Sequence, residues 1–490
     1  MPVEVSYGMV PPSNDFLESA ANMDDVPHRK AQGGRLAEYE RYHRYYDGDH
    51  PTRLLSRQRS YLQIGGVRFC ENVCDLIVDT YADRLRVKNM RVVNGDTMED
   101  IEEWSDRAKA LWEKNLGDDL SDTVHRESGK LGDAFTILDT DEYGVCIHVQ
   151  QSEQVKTVYS KDNPRKLAYA VKKWCSDSPS PTNPNGDDIN RMNIYYEDRI
   201  EKYYSISSGG TCHWYPHIDE GEAAWPTPWV DGAGEPLGIP VYHFANKRGI
   251  SPYGVSEIRK AIPMQDAYNK HILDVFEVAD QMAFPQRWAT GVNQSETSTL
   301  DTTPGTVWTA SDPQTSFGQF NAADMTNMLS LVESDLKRIA SMTRTPLYSI
   351  LLDGAWPSGE ALKSADAPLV NKVLRQQAPW GNLWEQMMLH ALRLEAVWFG
   401  GEALPDGARV VVDWEDPHVQ ATADMLAFAE GAVRLGASQA TGLRLIGIDN
   451  AEEELEISEK EKEAQMDLAS SMLIRGIPPS TPTEPPVDDE

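Results

Sequence analysis

The spacing of apolar positions changes its period twice along the chain, and the changes divide it into three regions. From Phe69 to Leu85 the apolar residues fall at Phe69, Val73, Leu76, Ile77, Tyr81 and Leu85, the three-and-four spacing of a helix with one buried face. Arg35–Tyr46 reads as a helix stopped by Asp47-Gly48-Asp49-His50-Pro51, and further helices are predicted over Met98–Asn115 and Leu120–Leu131. After Gly132 the period shortens to that of strands. Ala134–Leu138 and Val145–Val149 flank the turn Asp141-Glu142-Tyr143-Gly144, a hairpin signal. Leu167–Trp174, Met192–Tyr196, Glu201–Ser205 and Thr211–Tyr215 continue as an antiparallel meander. Ser176–Asn190, rich in Ser, Pro, Asn, Asp and Gly, is predicted to be an exposed loop.

Long helices return after Pro252. Ile258, Ile262, Tyr268, Ile272, Val275, Phe276, Ala279 and Ala283 trace one stripe that ends at Pro285, with Pro263 marking a kink or the true start. Met325, Met328, Leu329, Val332, Leu336 and Ile339 trace a second, over about 322–342, stopped by Thr345-Pro346. Between them, residues 285–321 hold β-like pieces at Arg287–Thr290 and Thr306–Ala310, so a small β insert joins two helices whose ends must lie close together. A third helical region, Ser358–Phe399, is predicted to bend or break at Pro368 and Pro379. A strand over Arg409–Trp414 and helices over Thr422–Leu435 and Ala451–Arg475 follow. Residues 1–27, with Pro2, Pro11, Pro12 and Pro27, read as a mobile arm, and the Pro-rich residues 476–490 as a disordered tail.

Composition narrows the class. The chain has 490 residues, 40% of them hydrophobic and 13 of them Trp, which is roughly three domains' worth of folded protein with a large core. No uninterrupted apolar run exceeds five residues, against the roughly twenty that a membrane helix needs. The N-terminus, with Glu4 and Asp15, does not read as a signal peptide. Five cysteines, an odd number, argue against a disulfide framework. A net charge of −31 argues against a protein that grips nucleic acid over its whole surface. It leaves open a protein that lets nucleic acid slide past. The segment 28–68 inverts the sign, with nine basic residues against four acidic ones. That block reads as a solvated face, a subunit contact or a nucleic-acid site, and its tyrosines could stack on a ligand or pack in the core.

Candidate chemistry is sparse. Cys70 and Cys74 share a predicted helix face, but a zinc site needs about four ligands and no His pair stands at ligand spacing nearby, so they read as structural. Asp47-Gly48-Asp49-His50 lacks the length and the later Glu of a calcium loop and reads as a helix-ending turn. There is no phosphate-cradling Gly-x-x-x-x-Gly-Lys-Ser/Thr loop, no Gly-x-Gly-x-x-Gly and no Gly-x-Ser-x-Gly elbow. Carboxylates are too abundant for any pair to single itself out as acid and base. No catalytic residue, metal ligand or cofactor is assigned.

The most informative stretches are Tyr45-Tyr46-Asp47-Gly48-Asp49-His50-Pro51, then Arg68-Phe69-Cys70-Glu71-Asn72-Val73-Cys74-Asp75-Leu76-Ile77-Val78-Asp79 and Asp83-Arg84-Leu85-Arg86-Val87. Pro263-Met264-Gln265-Asp266-Ala267-Tyr268-Asn269-Lys270 and Phe284-Pro285-Gln286-Arg287-Trp288-Ala289-Thr290-Gly291 follow. Pro357-Ser358-Gly359-Glu360-Ala361-Leu362-Lys363 and Trp414-Glu415-Asp416-Pro417 complete the set. In this order and spacing the chain, over roughly 35–475, resembles the portal proteins of long-tailed (siphovirus-type) double-stranded DNA bacteriophages. The resemblance implies an α+β portal-type subunit that assembles as a ring, usually of twelve. Its parts would be a mixed α/β wing over 28–250, stem helices over 252–284 and 322–345, and a β clip over 285–321. A tunnel loop over 346–357, a kinked wing helix and strand over 358–417, and a helical crown over 418–475 would complete it.

Such a ring would sit at one capsid vertex of the virion, after assembly in the host cytoplasm, and pass the genome in packaging and ejection. Its implied partners are the large terminase subunit, a head-to-tail adaptor, a capsid or scaffolding protein, and double-stranded DNA bound without sequence specificity, with no membrane. Leu351, Asp353 and Trp356 of the tunnel loop and Asp274, Glu277 and Asp280 of the stem are the expected channel residues. Arg287, Trp288, Thr306 and Trp308 of the clip are the expected docking residues. On the first stem helix Asp266, Lys270, Asp274, Glu277 and Asp280 lie off the apolar stripe, a net acidic face that would keep phosphate affinity low or simply meet outer solvent. Two other classes stay open: an acidic soluble enzyme, for example a carbohydrate-active one, and another virion component such as a capsid or adaptor subunit.

Overall fold

The computed structural model describes residues 11–25, 34–50, 70–176, 189–206, 213–219, 224–283, 287–291, 308–309, 313–319, 325–351, 359–400, 403–418, 429–431, 433–435, 438–445, 455 and 460, with backbone only at 280–283 and 359–360. The chain forms two compact units, residues 1–356 with 364–417, and residues 357–363 with 418–490. The first is α+β. It opens with helices α1 (Asn14–Ala21), α2 (Gly34–Tyr46) and α3 (Cys74–Ala82), then strand β1 (Val87–Asn94) and helices α4 (Glu102–Lys114) and α5 (Gly117–Leu131). Strands β2 (Asp133–Asp141) and β3 (Gly144–Gln150) form the hairpin predicted from the Asp141–Gly144 turn, and β10 (Val241–Ala245) adds to the free edge of β2. Strands β4 (Val155–Tyr159), β5 (Leu167–Ser176), β6 (Ile189–Tyr195) and β7 (Arg199–Ile206) pair in sequence order; the last three belong to the predicted meander, and β4 is an addition to it. Two short strands, β8 (Tyr215–Pro216) and β9 (Thr227–Pro228), both pair with β7.

The junction between α5 and β2 shows why the backbone is built as it is. Gly132 ends α5 in the left-handed region, and its carbonyl accepts from Asn246 N at 2.8 Å. Gly254 lies so close that a Cβ there would stand 1.9 Å from the Gly132 oxygen, so any side chain would drive the two segments apart. The main core lies beneath these sheets. Trp380, Trp384, Met387 and Met388 are fully buried among Val92, Leu138, Phe244 and Val412. They belong to helix α9 (Gly359–Phe399), which the structure shows running unbroken through Pro368 and Pro379. Each interior proline costs about 3 kcal/mol. The buried face of Leu369, Val373, Trp380 and Trp384 offsets that cost, because deleting one such aromatic costs about 3–5 kcal/mol.

Several expectations are corrected. Helix α3 is shorter than predicted, because the chain before Cys74 turns to bond with other elements, and the predicted helix from Met98 starts at Glu102. Strand β1 was not expected at all. It pairs antiparallel with β13 (Ala408–Trp414), a partner more than three hundred positions away. The arm expected over 1–27 contains α1, whose Leu17, Ala20 and Ala21 are buried against Val171 and Met192 of the meander. Residues 177–188 of the predicted loop lie outside the described residues. In the second unit, 429–431 and 433–434 are helical and α10 spans Gln439–Leu445. Most of the helix predicted over Ala451–Arg475, and all of 476–490, lie outside the described residues.

Candidate functional site

The candidate site is built on two helices that pack against each other, α6 (Ile262–Ala283) and α7 (Met325–Thr343). Pro263 stands in the first turn of α6, where its missing N–H is not needed. A short two-stranded hairpin, β11 (Arg287–Thr290) with β12 (Ser316–Gln319), carries the described part of the segment between them. After α7, Arg344 adopts a positive φ and a single helical turn, α8 (Leu347–Ile350), follows.

The inner half of α6 is bolted to the N-terminal helices. Gln265 and Asn269 are fully buried, and both are used as backbone surrogates. Val73 N donates to Gln265 Oε1 at 3.1 Å, Gln265 Nε2 donates to the Glu71 carbonyl at 2.5 Å, and Glu71 N donates to Asn269 Oδ1 at 3.0 Å. Asn269 Nδ2 lies 3.1 Å from His50 Nε2, and His50 stacks on Tyr45 with centroids 4.2 Å apart. The Tyr45 hydroxyl donates to Asp266 at 2.6 Å, and that of Tyr268 to Glu71 at 2.6 Å. Burial and the neighbouring carboxylates hold both phenols above their ordinary value. So the two stretches of sequence that carry the family resemblance dock on one another.

This changes the expected acidic face. Asp266 is half-buried and engaged by Tyr45, and Asp274 is paired with Lys270 at 2.5 Å. Glu277 is half-buried, while Phe276 is 46% exposed. Asp280 lies on α6, but its side chain is outside the described residues. Across the helix pair His271 Nδ1 meets the buried Asp335 at 2.5 Å, and Arg338 approaches the other Asp335 oxygen at 3.6 Å. Of the tunnel-loop residues, Leu351 is half-buried and packs against the cluster of Tyr39, Ile77, Ile272 and Ile339. Asp353 and Trp356 lie outside the described residues. The Tyr348 hydroxyl donates to Asp366, which also faces Arg84 at 3.6 Å.

At the hairpin, Trp288 lies over Gly318 of the facing strand, where a Cβ would come within 2.4 Å of the indole. Arg287 stands 5.6 Å from the Trp308 ring, and Trp308 packs beside Phe317 with centroids 6.1 Å apart. Trp288 and Phe317 remain more than a third exposed. The structure thus brings Arg287, Trp288 and Trp308 to one small aromatic surface and adds Phe317, which sequence reading missed. The alternation of Ser316-Phe317-Gly318-Gln319 just after the Asp312-Pro313 turn was the available signal. The predicted strand Thr306–Ala310 is not one at Trp308 and Thr309, and Thr306 lies outside the described residues.

Among the described residues no group of three or more His, Cys, Asp or Glu is arranged to hold a metal ion, and no helix is long and apolar enough to cross a membrane. Cys74 is buried and Cys70 half-buried beside His50, and neither is in a disulfide.

The fold is thus an α+β body that carries a packed helix pair and a small two-stranded sheet. The chain belongs to the family described as phage portal protein, SPP1 Gp6-like, whose model matches residues 30–467. It is 30% identical over 221 residues to the portal protein of Mycobacterium phage D29, covering 42% of this chain and 44% of that protein. It is 28% identical over 249 residues to the portal protein of Mycobacterium phage L5, covering 48% and 49%. The chain thus aligns with about half the length of these curated relatives. A chain of a solved structure titled "Neck of native GTA particle computed with C12 symmetry" covers 76% of this chain and 88% of its own length. At 12% identity and a TM-score of 0.39, that superposition is too loose to bear on fold or function.

Proposed function

We propose that copies of this chain close into a ring, of twelve subunits, at one vertex of a capsid. There the ring is the channel for genome packaging and ejection and the platform for the packaging ATPase and the tail connector. In this reading 28–250 is the wing, 252–284 and 322–345 the stem, 285–321 the clip, 346–357 the tunnel loop and 418–475 the crown. The observation that carries it is the uneven burial of the helix pair. Beyond Leu273 no described side chain of α6 is buried, and the hairpin beyond it offers Trp288 and Phe317 to solvent. A two-stranded hairpin is marginal alone in water, so this end of the subunit draws its order from neighbours. The subunit is a conduit and performs no chemistry of its own. The wall tolerates DNA because Asp353 and the stem carboxylates repel phosphate, whereas each added cation would create affinity.

Negative-stain microscopy and native mass measurement of the purified protein test this directly. Ring-shaped particles of about twelve subunits are expected. A monomer at micromolar concentration and low salt overturns the ring, and ATP hydrolysis by the pure protein overturns the passive role. Asp353→Lys is expected to leave rings intact while slowing packaging, with partial relief at higher salt. Trp288→Ala with Phe317→Ala is expected to leave rings intact while abolishing adaptor binding.

A further inference from the structure

A cleft of about 400 Å³ opens between the segment before β5, the strand β10 and the flank of α9. Arg165, Lys166, Arg248 and Arg393 line it, a concentration of cations that stands out in a chain of net charge −31. Lys166 is paired with Glu197 at 2.7 Å, and Arg248 lies over the Tyr159 ring at 5.0 Å. Arg165 and Arg393 are exposed, and no carboxylate among the described residues lies within ion-pair distance of either. His390 forms part of the wall. It is only 8% exposed, yet its Nε2 has no hydrogen-bond partner among the described residues. The Tyr242 hydroxyl meets its Nδ1 at 2.9 Å. Burial and Arg393 bring the imidazole down to about 4, so the ring is neutral near neutral pH. The Tyr242 hydroxyl also donates to the Gln386 carbonyl at 3.3 Å, so the wall beside the arginines is polar and uncharged. An anion entering this cleft therefore meets two arginines that no carboxylate of the described residues engages.

Around α9 the chain carries the complement. Leu383, Gln386, His390 and Arg393 face the basic cleft, whereas Leu392, Glu395 and Phe399 face α4. At 3.6 residues per turn the two sets are centred roughly 170° apart around the helix axis. On the α4 side the segment 96–106 presents Asp96, Glu99, Asp100, Glu102, Glu103 and Asp106, all exposed. Among these only Glu103 has a cation at ion-pair distance within the described residues, Arg107 at 2.8 Å. At its tip Met98 is held out by a positive φ and is 60% exposed. One flank of the subunit is therefore a basic cleft and another an acidic ridge with an apolar tip. Rings close by such heterologous contacts, one patch meeting a different patch on the next copy.

We propose that the basic cleft of one subunit receives the acidic ridge 96–106 of a neighbouring copy, its carboxylates meeting Arg165 and Arg393 at the rim. The proposal rests on the ring reading above. The exposed ridge carboxylates that no cation of the described residues engages complement the two arginines in charge, and this singles out a second copy of the chain as the occupant.

The test uses the full chain and three variants: Arg165→Glu with Arg393→Glu, Glu99→Arg with Glu102→Arg, and all four together. Sedimentation and native mass spectrometry read the fraction in rings, and thermal melting of the unassembled subunit reports folding. The wild type is expected to form rings. Each double variant is expected to reduce the ring fraction about tenfold with unchanged melting, and the fourfold variant to restore it to within about threefold, because reversed charges meet again. If the wild type itself forms no ring, the ring reading fails independently of this cleft. Rings that survive both double variants overturn the proposal. Loss without restoration overturns the pairing of cleft and ridge. Intact rings with weakened binding of a DNA duplex in Arg165→Glu with Arg393→Glu make the cleft a phosphate site instead.

Discussion

The two halves of helix α6 differ more than their similar apolar periodicity suggests. Over Ile262–Leu273 the helix buries Ile262, Gln265, Tyr268, Asn269, Ile272 and Leu273, and its polar side chains complete the backbone hydrogen bonds of the segment before α3. Beyond Leu273 the described side chains are half-buried or exposed, and Asp274 pairs with Lys270 one turn back. The inner half belongs to the fold of the subunit. The outer half is presented to something else. A helix can thus keep one apolar stripe throughout while the burial of that stripe changes midway.

The contrast predicts unequal responses to substitution. Gln265→Leu strands the Val73 N–H and the Glu71 carbonyl in a buried site, and is expected to lower subunit stability by about 2–4 kcal/mol in chemical denaturation. A loss below about 0.5 kcal/mol would erase the distinction between the halves.

Acid sharpens it next. His125 is buried in the body, donates from Nδ1 to the Leu85 carbonyl at 2.8 Å and accepts at Nε2 from Trp384 at 3.0 Å, so the fold requires the neutral ring. Burial lowers it from its ordinary value to about 3. The unfolded chain takes up the proton near pH 6.5 and the fold does not. The stabilisation is therefore complete above that pH and is lost progressively as pH falls toward the folded value. From this group alone the expected slope is about 1.4 kcal/mol per pH unit. His125→Phe should flatten the denaturation profile between pH 6.5 and 5, and an unchanged slope would remove His125 as the cause.

The outer half should respond weakly in the isolated subunit. Phe276→Ala, at a side chain that is nearly half exposed, is expected to change subunit stability by about 0.5 kcal/mol or less while raising the concentration needed for ring formation. Lys270→Ala should cost least, about 0.3–0.5 kcal/mol, the usual value of an exposed pair four positions apart. A large loss of subunit stability from Phe276→Ala would mean that the outer half is core after all.

The elements most legible in the sequence were those whose partners are close in the chain. The Asp133–Gln150 hairpin, the meander and helices α6 and α7 each announce a buried face through local period, and turn residues mark their ends. The Arg287–Thr290 strand was legible for the same reason, although its partner Ser316–Gln319 was not. What only the tertiary structure decided was pairing at a distance. Val87–Asn94 becomes a strand because Ala408–Trp414 lies beside it, and nothing within eight residues of Val87 states that. Pro368 and Pro379 stay inside one helix because Trp380 and Trp384 find a core to fill. Gln265, Asn269 and Glu71 looked like ordinary polar residues, and became an anchor only when folding brought two distant segments within hydrogen-bond reach. Periodicity records which side of an element is buried, whereas hydrogen-bond satisfaction depends on what arrives on that side. The first is written locally in the chain, and the second exists only once the chain has folded.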